Sequence, residues 1–286
     1  MSKNIARLMY GMGPDMRYAT GLAPSDPFWW YQDTAGKTHT ILNALEIEHG
    51  RHEATVDYVH EQGEVINEIR KTTDKISAEA IVNWFVSQAK KAPDVIEVPT
   101  DFPTGLYVKL TESGLKLKPA ADPFFAGRAV KTKAEIELER TAQQANEHGF
   151  VRLRQILAEA EIGKKDALFW QDNPLTSEVL HGEVNAVLAR AGCLGFNGGP
   201  IITGGNQTAD PHERGSGQLY AHQFILMDSF PLHKNGYNGD LTRTYVKGTA
   251  SQWHQDIYNA VLAAQEKALA MIQPGVNGKD IHAAVA

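Results

Sequence analysis

The sequence contains very little cysteine: among its 286 residues, Cys193 is the only one. A single cysteine excludes an internal disulfide and any metal site built from several thiolates. It is also typical of proteins from a reducing compartment, so we expect a cytoplasmic protein. A lone cysteine is more often a small buried hydrophobic residue than a nucleophile.

The sequence also lacks long apolar runs and an excess of positive charge. No apolar run approaches the roughly 20 residues that a membrane span needs. Residues 1–14 contain no apolar segment of the kind found in secretory signals, which argues against export. The net charge of −6 argues against nucleic acid as a partner, because phosphate backbones select basic surfaces. We therefore expect neither a membrane nor a nucleic-acid partner.

The first part of the chain alternates strand and helix patterns. Apolar runs predict strands at residues 38–45 and 94–98, and an amphipathic stretch at 77–90 predicts a helix. This alternation is typical of a layered α/β domain. Proline and glycine punctuate residues 122–127, where we predict the boundary between an N-terminal domain, 1–126, and a second domain, 127–286.

The second part of the chain predicts long helices and a β-hairpin. Apolar residues at helical spacing predict helices at 133–160, 176–191 and 252–272. A glycine-rich stretch, 195–205, contains a short predicted strand at 200–203. Strands at 224–227 and 237–246 flank the turn residues 234–236, a pattern that predicts a hairpin.

Two aspartates could carry chemistry on this hairpin. Asp228 follows the apolar strand 224–227, and Asp240 lies on the returning strand. Two carboxylates at one point repel each other unless protons or cations share the site. Carboxylate oxygens suit divalent cations such as Mn²⁺, and two such cations can activate a water molecule. In the alternative interpretation, Asp228 caps a turn and Asp240 pairs with Arg243 on a solvated surface.

The hairpin resembles a known signature. Residues 226–248, LMDSFPLHKNGYNGDLTRTYVKG, are similar to the hairpin of the pita-bread metallopeptidases, the family of Xaa-Pro aminopeptidases, prolidases and creatinase. In that family, a strand-terminal Asp is followed by a Gly-Tyr-x-x-Asp-x-Thr-Arg-Thr segment and then a Gly. The resemblance implies that Asp228 binds one metal ion bidentately and that Asp240 bridges two.

A second similar segment precedes the hairpin. Residues 202–212, ITGGNQTADPH, resemble the strand and loop of the family that end in a histidine at the substrate cleft. The resemblance gives this role to His212, as a catalytic and substrate-binding residue. An imidazole on a loop can donate a hydrogen bond to a carbonyl oxygen on which charge develops. Alternatively, His212 is a surface residue beside Glu213 and Arg214.

The resemblance extends over nearly the whole chain. Residues 16–21 resemble an early strand and turn of the family, 128–137 its entry into the first catalytic helix, and 272–276 its helix-ending Pro-Gly. The implied fold is α/β plus α+β: a creatinase-like mixed α/β domain, followed by a pita-bread domain that lacks its last strands. Those strands supply a histidine and two glutamates in the family, and none of the three is assigned to a residue here. We therefore expect a chain that is natively longer, or one completed by a partner.

The leading hypothesis is a metal-dependent aminopeptidase or dipeptidase that cleaves Xaa-Pro peptide bonds. The resemblance implies two divalent ions (Mn²⁺ first, Co²⁺ or Zn²⁺ as alternatives), a small peptide substrate and a homodimer. Two alternatives stay open: a metal-free, creatinase-like C–N hydrolase, and a non-catalytic relative that serves in binding or dimerisation. The aspartate pair argues against the former, and the unassigned ligands argue for the latter.

Overall fold

A computed structural model describes residues 4–194 and 199–286 of the chain, so residues 195–198 of the glycine-rich stretch lie outside the described residues. The chain forms two compact units, Met1–Thr132 and Lys133–Ala286. The boundary predicted after residue 126 falls near the end of the first unit and stays a prediction. Within the described ranges, every helix is too short or too polar to cross a lipid bilayer.

The first unit is a mixed sheet with helices. Its elements are β1 (Ile5–Gly11), α1 (Pro14–Thr20), β2 (Phe28–Gln32), β3 (Thr38–Leu42), α2 (Ile47–Glu53), β4 (Tyr58–Glu61), α3 (Gln62–Ile69), α4 (Ala78–Gln88), β5 (Val95–Val98), α5 (Thr104–Glu112) and β6 (Leu117–Pro119). The six strands are ordered β4-β3-β2-β1-β5-β6. Strands β1 and β5, β5 and β6, and β3 and β4 run parallel, whereas β2 is antiparallel to both of its neighbours. The mixed α/β character predicted from the sequence is confirmed.

Aromatic side chains pack between the sheet and a helix of this unit. Tyr31 of β2 is fully buried, and its ring stacks on Phe85 of α4 with centroids 5.1 Å apart. Helix α4 begins where the Ser77 side chain accepts a hydrogen bond from the backbone N–H of Ala80, which satisfies a free donor of the first turn. Aromatic side chains of β2 therefore belong to the core of this unit.

Two local predictions in this unit were wrong. Residues 16–21, expected as a strand and turn, lie mainly in helix α1, which ends at Gly21 with φ 74°. The strand expected to reach residue 45 ends at Leu42. Its end follows from Asn43, whose side-chain oxygen accepts hydrogen bonds from the backbone N–H groups of Leu45 and Glu46 and so turns the chain.

The second unit packs two long helices against a three-stranded sheet. Its elements are α6 (Lys133–Glu159), β7 (Glu161–Ile162), β8 (Leu168–Trp170), β9 (Asn173–Pro174), α7 (Ser177–Arg190), β10 (Ile201–Gly204), β11 (Ile225–Ser229), β12 (Leu241–Tyr245), α8 (Gln252–Met271) and α9 (Gly278–Val285). Strands β10, β11 and β12 form one antiparallel sheet in that order, and β7, β8 and β9 form another.

Close packing of α6 fixes the core of this unit. Gly149 of α6 faces three side chains, and a Cβ atom there would lie 3.1 to 3.3 Å from Val184, Met227 and Leu188. A larger residue would push α6 away from both α7 and β11. Helix α6 is therefore held directly against the strand that carries Asp228.

Helix α8 differs from the other long helices in its exposure. The Ser251 side chain and His254 form a reciprocal cap at its first turn. None of its described side chains is buried, and Val261 is 65% exposed although it lies on the apolar face predicted from the sequence. The helix forms where its spacing predicted; Ile257 and Val261 of its apolar face are exposed, whereas Ala264, Ala268 and Met271 are half-buried.

Candidate metal and substrate site

Of the two aspartates, Asp228 lies on β11 of the hairpin and Asp240 immediately precedes β12. Asp228 of β11 pairs directly with Thr242 of β12, and Asp240 lies two residues before Thr242. Asp228 therefore lies within the ladder, whereas Asp240 lies at the end of the loop that leads into β12.

The two faces of β11 have different environments. Ile225 and Met227 are fully buried against the core, whereas Asp228 is half-buried on the opposite face. The Thr242 hydroxyl donates a hydrogen bond of 2.8 Å to Oδ1 of Asp228. This bond orients the carboxylate and leaves its other oxygen, Oδ2, for a further partner.

Asp240 immediately precedes β12; its side chain is exposed, and its backbone is fixed by a hydrogen bond. Its backbone N–H donates a hydrogen bond of 2.9 Å to Oε1 of Gln143 on α6. Asp240 also borders an open groove of about 530 Å³, which runs along α6 past Glu139 and Glu147. The carboxylate is therefore accessible from solvent while its main chain is fixed by a helix.

The end of β11 is bound to α6 by a buried pair of polar residues. The Asn146 side chain donates to the Ser229 carbonyl at 2.7 Å and accepts from the Ser229 hydroxyl at 2.7 Å. Both residues are completely buried. Neither Asn146 nor Gln143 was predicted from the sequence, although a polar residue on the buried, apolar face of a helix is a signal for Asn146.

The loop between the aspartates folds back into the core. Leu232 and Asn238 form an isolated bridge within it, and β12 starts only at Leu241, four residues later than predicted. His233 in this loop is buried, with 6% of its surface exposed. Its ring Nδ1 accepts from the backbone N–H of Asn235 at 3.2 Å, and its Nε2 lies over Gly192, where a Cβ atom would approach to 3.0 Å.

His212 lies on the loop that follows β10. It comes after a 3₁₀ turn, Gly205–Ala209, and its side chain is exposed. The Asp210 carboxylate accepts a hydrogen bond of 3.0 Å from the His212 backbone N–H and so shapes this turn. The imidazole therefore stands on an ordered turn and is open to solvent.

Cys193 and His222 have structural roles. Cys193 is buried, and burial raises the pKa of its thiol, which disfavours the reactive thiolate. His222 has φ 62°, and its Nδ1 accepts a hydrogen bond of 2.8 Å from the backbone N–H of Thr249. Both residues are therefore engaged in local structure.

The donor chemistry of the hairpin fits a divalent cation. Asp228 and Asp240 offer carboxylate oxygens, the ligands that Mn²⁺ and Mg²⁺ prefer. Among residues 4–194 and 199–286, no group of three or more His, Cys, Asp or Glu side chains is placed to hold a metal ion together. The described residues thus supply two oxygen-donor side chains of the kind that a metal centre uses.

Known proteins are similar to this chain in sequence and in fold. The Xaa-Pro dipeptidase of Pyrococcus furiosus is 27% identical over 156 residues, which are 54% of this chain and 40% of that protein. An uncharacterized peptidase of Staphylococcus saprophyticus is 41% identical over 82 residues, 28% of this chain and 23% of that protein. The matched segments thus span less than half the length of these curated relatives.

Solved structures match over a larger share. The X-Pro aminopeptidase from Thermotoga maritima has a TM-score of 0.78 at 18% identity and covers 98% of this chain and 73% of its own. The prolidase from Pyrococcus furiosus has a TM-score of 0.75 at 19% identity, with coverage of 98% and 73%. These likenesses confirm the predicted fold class. Residues 137–286, more than half of the chain, match the sequence model of metallopeptidase family M24. The chain belongs to metallopeptidase family M24.

Proposed function

We propose that this chain functions as a metal-dependent peptidase that hydrolyses peptide bonds of the Xaa-Pro type. One observation supports the proposal: Asp228 lies in β11 and Asp240 immediately precedes β12, the strand paired with β11, inside the part of the chain that matches the family. The similarity to an Xaa-Pro dipeptidase over 156 residues supports the substrate class.

Asp228 and Asp240 would hold the divalent metal, for which we propose Mn²⁺. When bound, a divalent ion lowers the pKa of a coordinated water and supplies a nucleophile at neutral pH. The chain's own contribution is orientation, because Thr242 fixes Oδ1 of Asp228 and Gln143 fixes the backbone of Asp240. Fixed donors need no reorganisation when they act.

We assign to His212 the stabilisation of charge on the substrate. Its imidazole is exposed on the loop after β10, the strand that pairs with β11, and its role is proposed from the resemblance of residues 202–212 to the family segment. A donor aimed at the scissile carbonyl oxygen stabilises the negative charge that develops there during hydrolysis. A homodimer and a cytoplasmic location remain proposals that rest on the family and on the single cysteine.

A metal-loading experiment tests this function. The chain is dialysed against a chelator, reloaded with Mn²⁺, dialysed again and assayed for metal content and for cleavage of Xaa-Pro dipeptides, with Xaa-Ala dipeptides as controls. Retention of about two ions per chain, as in a two-metal site, with selective Xaa-Pro cleavage supports the proposal. Cleavage that persists in the chelator contradicts it and favours a metal-free, creatinase-like hydrolase.

A second candidate function is a non-catalytic role in binding. One observation favours it: the residues that the structure describes supply two carboxylates but no larger cluster of metal-binding side chains. A chain that neither retains Mn²⁺ nor cleaves any dipeptide in the same experiment would support this role and contradict the peptidase.

A further inference from the structure

One face of helix α6 contacts both segments that carry the aspartates. Gln143 and Asn146 are three residues apart and therefore lie on neighbouring positions of the same helix face. Gln143 accepts a hydrogen bond from Asp240, which immediately precedes β12, and Asn146 bonds to Ser229 at the end of β11. A single rigid helix is thus attached to both arms of the hairpin, next to each aspartate.

The contact at Asn146 fixes the first arm. Its two hydrogen bonds hold both the main chain and the side chain of Ser229, the residue after Asp228. Breaking these two buried hydrogen bonds costs free energy, because water cannot reach the site to replace the lost partners. The position of Asp228 along β11 is therefore tied to α6.

The second arm approaches α6 closely beside Gln143. Gly239 is buried, and a Cβ atom there would lie 2.6 Å from Cβ of Asn146 and 2.9 Å from the carbonyl oxygen of Ala142. This approach brings the Asp240 N–H within 2.9 Å of the Gln143 side chain. Gln143 is half-buried, and its bond spans 97 residues of sequence, so it acts as a long-range tether.

We propose that Gln143 is a positioning residue that sets the place of Asp240 relative to Asp228, from the same face of α6 through which Asn146 holds β11. This inference rests on the proposed metal site. Gln143 acts through the backbone of Asp240, so its loss would alter where the carboxylate stands without removing a ligand. Outer partners of this kind typically contribute about 10–100-fold to metal affinity.

Four variants of the full chain test this role. Gln143→Met removes the acceptor at similar length, and Gln143→Glu keeps an acceptor but adds a charge. Gln144→Met and Gln144→Glu are matched controls, because Gln144 borders the same groove with an exposed side chain. In ¹⁵N-labelled protein, Mn²⁺ is titrated and the paramagnetic loss of amide signals around residues 228 and 240 is followed. Exchange of the Asp240 amide hydrogen is measured without metal.

We expect Gln143→Met to speed exchange of the Asp240 amide and to need about tenfold more Mn²⁺ for the same signal loss. Gln143→Glu should keep slow exchange and bind Mn²⁺ at least as tightly as Gln144→Glu. The positioning role alone is overturned if Gln143→Met and Gln144→Met titrate alike while the unaltered chain binds at the hairpin. If Mn²⁺ leaves the signals around both aspartates of the unaltered chain intact, the metal site and this inference fail together.

Discussion

Nδ1 of His39 lies 3.1 Å from Nε2 of His60, on the neighbouring parallel strands β3 and β4. The two rings are nearly parallel, with centroids 5.4 Å apart, and the Trp84 ring packs edge-on against His60. Burial, followed by the nearby His39, lowers the pKa of His60 to about 4. Burial also lowers the pKa of His39. Both rings are therefore neutral near neutral pH, and one donates to the other.

This pair predicts that the first unit loses stability in mild acid. The unfolded chain takes up protons below the ordinary histidine pKa of about 6.5, whereas the folded pair resists protonation until the pH is much lower. The contribution of the neutral histidine pair to the free energy of unfolding is thus complete above about pH 6.5. It declines as the pH falls toward 4. In urea unfolding at pH 7 and pH 5, His60→Gln should reduce the acid-induced loss by about 1 kcal/mol, a figure discounted for partial exposure of the ring. An unchanged pH dependence in this variant would contradict the account.

Asn146→Ala should strongly destabilise the second unit. The substitution leaves the buried hydroxyl and carbonyl of Ser229 without partners and opens a small cavity, so we expect a loss of about 2–4 kcal/mol. Chemical denaturation followed by tryptophan fluorescence measures it, with Gln144→Ala as an exposed control on the same helix. Ser229→Ala and the double variant complete a cycle. Strictly additive losses would show that the two side chains do not interact.

Gly239→Ala tests the close approach of the hairpin to α6. A Cβ atom would meet Asn146 and the Ala142 carbonyl below 3.0 Å, so the hairpin must shift, at a cost of about 1–3 kcal/mol. Gly182→Ala on α7 is the control, because nothing lies within 4 Å of its added Cβ atom. There, alanine should stabilise the helix by up to about 1 kcal/mol. Equal effects of the two substitutions on the denaturation midpoint would contradict this packing.

Asp240→Asn should remove metal-dependent hydrolysis while leaving stability nearly unchanged. The side chain is exposed, so the fold does not depend on its charge, but an amide is a much weaker ligand for a divalent cation than a carboxylate. Mn²⁺ titration and dipeptide assays on the protein measure the effect, with Asp256→Asn on α8 as the control. Full retention of metal-dependent activity in Asp240→Asn would remove this residue from the proposed site.

Much of the fold followed from periodicity in the sequence. The apolar residues at 224–227 predicted β11, and helical spacing located α6, α7 and α8 to within a residue or two. These patterns succeed because burial of one face is their physical cause. The strand predicted to start at residue 237 starts at Leu241 instead, because residues 230–240 fold back as a loop rather than extending the ladder.

The residues that hold the candidate site in place could not be predicted from the spacing of residues in the sequence. Gln143 and Asn146 meet their partners across 97 and 83 residues, and no local pattern encodes such bonds. The burial of His233 likewise depends on Gly192, whose missing side chain leaves room for the ring. The residues that resemble family motifs were found from the sequence, whereas the residues that hold them in place emerged only from the fold.

The two bonds between Asn146 and Ser229 consist entirely of protein atoms, so they form when the chain folds. The strand carrying Asp228 would then be in place before any cation arrives, and capture of the ion would order little backbone and bury little apolar surface. Calorimetry should accordingly record a near-zero change in heat capacity on Mn²⁺ addition, unlike ligand binding that is coupled to folding. The rate of capture would then follow the shedding of water by the ion and not the folding of the protein.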